Sequence, residues 1–168
     1  GVWLGADVSG IAQWFLDHEM AEGGWNCEWV EGSTRASVQS TLNSLKGILY
    51  YEQATGGSPE LTAARHRAEG YLLERRLMYR VTTGEPIEWW VSKFAYPVRS
   101  FYNTLNAVDY FRTAALHDGT APDPRLADAV ADIRAQRQPD GTWLQARRHP
   151  GRVWFEVDAP VGEPSKWL

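Results

Sequence analysis

Apolar residues recur along this chain at spacings of three and four, the period of an α-helix with one buried face. A first stripe joins Ile11, Trp14 and Phe15, with Leu16 and Met20 at its margin. Asp7 or Ser9 can cap its start, and Gly23-Gly24 ends it. A second stripe (Val38, Leu42, Leu45, Ile48, Leu49) begins after Ser33 or Ser37 and stops near Thr55-Gly56-Gly57. Ser58-Pro59-Glu60 opens a third, because proline suits the first helical position and an acid suits the positive end of the helix. Leu61, Ala64, Ala68, Tyr71, Leu72, Leu77 and Met78 carry that stripe to an expected end near Thr82-Thr83-Gly84. Segment 85–96 shows no clear period. Pro97 opens a further stripe through Phe101, Leu105, Val108, Phe111 and Ala115, ending at Asp118-Gly119. After Pro122 and Pro124 come Leu126, Ala129, Val130 and Ile133, stopped by Pro139-Asp140-Gly141. Residues 142–160 break the pattern. Thr142 to Ala146 and Arg152 to Val157 favour extended structure, joined by His149-Pro150-Gly151, and read as a small β-hairpin near 142–157 or an ordered loop. The short turns favour antiparallel neighbouring helices, so the expected class is all-α.

Two stretches repeat each other. IAQWFLDHEMAEGGWNCEW and VADIRAQRQPDGTWLQARR each run through a helix, a polar turn with one or two glycines, and a tryptophan. Glycine permits the left-handed backbone that ends a helix. The tryptophan that follows can fold back over the helix end, with its N–H reaching an exposed carbonyl. Stacked units of this kind bury the faces that each leaves open.

Composition narrows the function classes. The 168 residues are 43% hydrophobic and carry a net charge of −4. The short basic pairs Arg75-Arg76 and Arg147-Arg148 fall well below a nucleic-acid footprint, so no nucleic-acid partner is expected. No stretch approaches the ~20 apolar residues that span a bilayer; membrane-surface association is left open, with nothing in the pattern to support it. A single cysteine, Cys27, precludes an internal disulfide and fits a cytoplasmic setting. Nine tryptophans among 21 aromatics imply a large aromatic core or an aromatic-lined cavity.

Gln138-Pro139-Asp140-Gly141-Thr142-Trp143 resembles the glutamine–tryptophan repeat of the squalene–hopene cyclase and protein prenyltransferase-like α/α toroids. Glu22-Gly23-Gly24-Trp25-Asn26, followed by Ser37, Thr41, Leu45 and Gly47, is similar to the helix-opening pattern of the same superfamily, and EVDAPVGEPSKWL resembles bacterial prenyltransferase/squalene oxidase repeat proteins. The resemblance implies a partial α/α toroid of antiparallel helix hairpins, with residues 1–168 as one repeat domain of a longer chain. It implies a hydrophobic, isoprenoid-like ligand in an aromatic-lined cavity, and completion of the barrel by a missing half or by a second copy in a homodimer. The chemistry of the superfamily is less well represented. The cyclases use a D-x-D-D acid, which is absent here; prenyltransferases hold zinc with a D-x-C pair, and the corresponding helix reads ASVQSTL. The alternative class is a non-catalytic helical-repeat binding or interaction module.

Candidate residues follow from these readings. Asp17, Glu19, Glu22, Glu28 and Glu31 crowd the first glycine–tryptophan turn, and two carboxylates sharing a pocket would keep one protonated as a general acid. Glu28 is the candidate there. Asp109 lies seven residues from Tyr102, so the two share a helix face, and Asp109 is the second candidate acid. Trp25, Cys27, Trp89, Trp90, Tyr102 and Trp154 are the candidate ligand-binding residues, since aromatic faces stabilise cationic intermediates. Cys27 with His18 and Glu28 lacks the spacing of a zinc site, so no metal or other cofactor is expected, and Cys27 otherwise reads as a buried, inert thiol. Arg147, Arg148, His149 and Arg152 form a basic loop that could grip an anion, or pair with Glu156 and Asp158.

Overall fold

A computed structural model describes residues 5–168. It is mostly helical: α1 (Ser9–Asp17), α2 (Val38–Thr55), α3 (Pro59–Glu74), α4 (Thr104–Asp118) and α5 (Ala127–Ala135), with 3₁₀ turns at Cys27–Glu31 and Pro124–Leu126. Among the described residues no strand occurs and no helix is long and apolar enough to cross a membrane. The chain falls into two compact units. The first comprises the described residues up to Glu74 with Thr113–Thr120; the second comprises Arg75–Arg112 and Ala121–Leu168.

In the first unit, α2 and α3 form an antiparallel hairpin across the three-residue link Gly56–Ser58. Of the two serines that could start α2, Ser37 does so, its Oγ accepting the Ser40 N–H at 3.1 Å. Gly56, with φ 86°, closes the helix in the left-handed conformation. Ser58 Oγ accepts from Leu61 N–H, and the Tyr71 hydroxyl donates to the Ala36 carbonyl, tying the end of α3 to the start of α2. The expected stripes are the buried ones: Leu42, Leu45, Ile48 and Leu49 on α2 face Leu61, Ala64, Ala68 and Leu72 on α3. At 25 cal/mol per Å², burial of such side chains contributes roughly 1.5–3 kcal/mol each, which is what holds a hairpin of otherwise marginal helices.

Both glycine–tryptophan turns make the same three hydrogen bonds, 118 residues apart. Met20 N–H donates to the Gly24 carbonyl at 2.9 Å, as Gln138 N–H does to Thr142 at 2.8 Å. Gly23 N–H donates back to Met20, as Gly141 N–H does to Gln138, both at 2.9 Å. The Trp25 indole N–H donates to the Phe15 carbonyl at 2.9 Å, and the Trp143 indole to Ile133 at 2.7 Å. Each acceptor lies in the last turn of its helix, where carbonyls lack helical partners. The repetition also extends to the serine that follows: Ser37 N–H donates to the Trp25 carbonyl and Ser165 N–H to Trp143. The left-handed glycines are required. A Cβ on Gly24 (φ 88°) would lie 2.4 Å from Thr41 Oγ1, which is itself bonded to the Trp25 backbone at 3.1 Å. Gly24→Ala is therefore expected to destabilise the first unit by roughly 1–3 kcal/mol in chemical denaturation, through overpacking and a disfavoured backbone.

α1 and α5 end a few residues before the expected glycine turns, at Asp17 and Ala135, and the boundaries of α3 and α4 differ further. α3 stops at Glu74, not near 82–84, because Arg76 and Leu77 adopt left-handed backbone with φ of 45° and 63°. Leu77 and Met78 are nonetheless buried, so their apolar character reflects the loop core of the second unit. α4 begins at Thr104 and not at Pro97; Asn103 Oδ1 accepts the Asn106 N–H at 2.8 Å and starts the helix there. Its buried face is Ala107, Tyr110, Phe111 and Ala114, so of the expected stripe only Phe111 is fully buried.

Of the two expectations for 142–157, a small β-hairpin or an ordered loop, the structure takes the loop. Gln145 N–H donates to Glu163 and Ser165 N–H to Trp143, with a single bridge between Leu144 and Pro164. Residues 142–146 thus pair with 162–165, and 152–157 form irregular loop. Gln145, 5% exposed, satisfies the Tyr96 backbone on both sides, at 2.8 and 2.7 Å, which fixes this loop against segment 94–97.

Candidate functional site

Within the first unit, α1 lies across the α2–α3 hairpin and leaves a groove of about 810 Å³. Its wall is built from Ile11 and Phe15 of α1, Ile48, Tyr51 and Ala54 of α2, and Leu61 of α3. Gly47 contributes by lacking a side chain: a Cβ there would sit 3.8 Å from the Phe15 ring. Trp25 braces the groove from behind, its ring meeting Phe15 edge-on at 5.4 Å while its indole holds the Phe15 carbonyl. No charged residue lines the groove among the described residues. A wall of this composition offers dispersion contact and desolvation to an apolar ligand, and neither a proton donor nor a nucleophile stronger than a tyrosine hydroxyl.

The candidate acids lie elsewhere. Glu28 is exposed in the first turn of the 3₁₀ segment. Its neighbours in sequence are engaged separately. Glu19 binds the Arg67 guanidinium at 2.6 Å, Glu22 accepts from Ala36 N–H, and Asp17 accepts from Gln13. Asp109 is exposed and pairs with Arg112 at 2.9 Å on its own helix. Cys27 is exposed, contrary to the buried thiol expected, and its N–H donates to Ser40 Oγ.

The candidate aromatics are not gathered around one cavity. Trp25 and Tyr102 are core residues, 2% and 1% exposed, and Tyr102 donates its hydroxyl to the Leu77 carbonyl. Trp90 packs edge-on to Tyr102. Trp89 is exposed beneath the Arg147 guanidinium. Trp154 is exposed with Arg152 4.0 Å over its ring, and of the six it alone lines either of the two cavities described. That second cavity, about 420 Å³, belongs to the second unit and includes the basic loop. Arg148 pairs there with Glu156, as the surface-loop reading expects. His149 is buried against Phe101; burial first, then the charges of Arg147 and Arg99, push its pKa down to about 4, so it is neutral at pH 7.

One group of residues escaped the sequence reading. Arg65, 1% exposed, lies on the buried stripe of α3 with Glu52 at 2.7 Å, Glu69 at 2.8 Å and Asp118 at 2.6 Å. Thr62 also donates to Glu52. Its signal was present as an acid and a base at core positions of two adjacent stripes. His66, Glu69 and Asp118 come close enough to suggest a cation site, but the Arg65 guanidinium already occupies both carboxylates. Comparison of the chain with known protein families, characterised proteins and solved structures returns no match.

Proposed function

We propose that this chain is a helical-repeat binding protein of α/α-toroid type that holds a neutral, elongated apolar molecule of isoprenoid character in the α1–α2–α3 groove, without transforming it. The observation that carries the reading is the groove itself: about 810 Å³, walled mainly by apolar and aromatic side chains, with no carboxylate, histidine or cysteine along it among the described residues. That volume lies within the roughly 300–1,000 Å³ of small-molecule pockets. Carbocation chemistry needs an acid at the ligand, and Glu28 and Asp109 both lie outside the groove wall, exposed to solvent. The recurring glycine–tryptophan turns support the toroid assignment, since the superfamily it resembles is built from such units.

Farnesol is a suitable probe. Calorimetry is expected to give one site with Kd of roughly 1–300 μM, from about −0.3 to −0.5 kcal/mol per heavy atom. Gly47→Leu places a side chain into the groove from a regular helical position and is expected to weaken farnesol at least about tenfold while leaving the helix intact or firmer. Absence of saturable binding, or equal affinity in the variant, overturns the assignment.

A further inference from the structure

The cavity of the second unit has a different chemistry from the groove. Arg99, Arg148 and Arg152 line it with Glu156 and Asp158. Arg148 pairs with Glu156, and Asp158 accepts from the Ser165 hydroxyl and the Lys166 N–H. Among the described residues no carboxylate pairs with Arg99 or Arg152. Arg99 donates to the Pro150 carbonyl at 3.2 Å, and Arg152 rests on the Trp154 ring. Three guanidiniums against two carboxylates leave a surplus of one positive charge around the cavity.

His149 adds an independent observation. It also lines the cavity, is 6% exposed, and stacks on Phe101 at 3.9 Å with the rings 7° from parallel. Among the described residues neither ring nitrogen has a hydrogen-bond partner. Buried polar groups are nearly always bonded, so an imidazole left this way is a place where a ligand atom can bind with gain.

We propose that this cavity is a binding site for a small organic carboxylate with an aromatic or aliphatic body. Its charge is answered by Arg99 and Arg152, since a planar guanidinium matches a carboxylate in two parallel hydrogen bonds. The His149 N–H donates to the same head group. The body lies against Tyr96, Pro97, Trp154 and Phe155, and about 420 Å³ accommodates one ring with a short substituent. One negative charge balances the surplus, which favours a carboxylate over a phosphate dianion. The site is made wholly from second-unit residues, so it stands or falls independently of the groove.

The test follows the His149 ring protons by NMR while the protein is titrated with benzoate, benzyl alcohol or inorganic phosphate in separate series. Benzoate is expected to move the His149 signals saturably in the millimolar range, with benzyl alcohol at least about tenfold weaker. Arg152→Gln, at an exposed position, is expected to weaken benzoate by roughly tenfold. Arg99→Asn, a residue suited to the φ of 52° found there, is expected to act in the same direction. No saturable benzoate response, an equal response to benzyl alcohol, or saturation by phosphate but not benzoate each overturns the proposal.

Discussion

Replacing Arg65 with methionine is expected to destabilise the first unit by about 3–5 kcal/mol, a loss comparable to much of the total stability of a small domain. The guanidinium is 1% exposed and serves three carboxylates, of which Glu52 has a side chain only 3% exposed. Methionine fills similar volume, so the cost is electrostatic. Glu52 is left buried without its cation, and Asp118 and Glu69 lose the charge that holds them at 2.6 and 2.8 Å. Adding Glu52→Gln to Arg65→Met should recover part of the loss, since it removes the stranded charge and keeps an acceptor for Thr62. The pH profile gives a second readout. Burial alone would raise the Asp118 pKa, but the hydrogen bonds and charge of Arg65, then those of His66, outweigh it and hold the carboxyl below its usual value. A depressed folded-state pKa contributes stability that is complete above the unfolded value of about 3.9 and is lost as pH falls through the lower folded value. Wild type should therefore lose stability on acidification below about pH 4, and Arg65→Met should lose less over the same interval. Unfolding free energies from urea denaturation at pH 7 that differ by under about 1 kcal/mol would sink the argument, since that is the range of a surface pair.

The same cluster shows what was legible in the chain. The stripes on α2 and α3 were visible because core burial imposes a period of three and four. Glu52 and Arg65 fall on those stripes, at 45/48/49/52 and 61/64/65/68. Two charges of opposite sign on adjoining faces predict a buried pair, but the third partner, Asp118, comes from the end of a distant helix, and no local spacing announces it. The boundaries of α3 and α4 were harder for another reason. Leu77, Met78 and Phe101 are apolar because loop segments of the second unit have a core of their own, and apolarity alone does not separate a buried loop from another helical turn. The left-handed Arg76 and Leu77 carry no glycine to mark them. The groove was illegible for a third reason: it depends on the side chain Gly47 does not have, and on where α1 rests. Conversely, the glycine–tryptophan turns were readable in detail, down to the indole reaching a carbonyl, because all the groups involved lie within ten residues of one another.

Those turns supply the second large effect. Trp25→Ala is expected to cost about 3–5 kcal/mol and Trp143→Ala distinctly less, about 1–2 kcal/mol, although both indoles make the same bond to a carbonyl ten residues upstream. Burial separates them. Trp25 is 2% exposed, meets Phe15 edge-on, and has its own backbone N–H held by Thr41. Its removal leaves a cavity bounded by Phe15 of α1 and Thr41 of α2, which packed helices cannot collapse to fill. Trp143 is half-exposed with Arg137 over one face, and solvent can enter the space it vacates. Trp25→Phe isolates the hydrogen bond: it keeps most of the apolar volume, strands the Phe15 carbonyl, and should cost about 1–2 kcal/mol. Because Phe15 also forms the groove wall, Trp25→Phe should weaken farnesol as well, whereas Trp143→Ala should leave it unchanged. Denaturation curves followed by far-ultraviolet circular dichroism, paired with farnesol calorimetry, rank all three variants. If Trp143→Ala proves as costly as Trp25→Ala, the shared hydrogen bond and not the burial sets the stability of these turns.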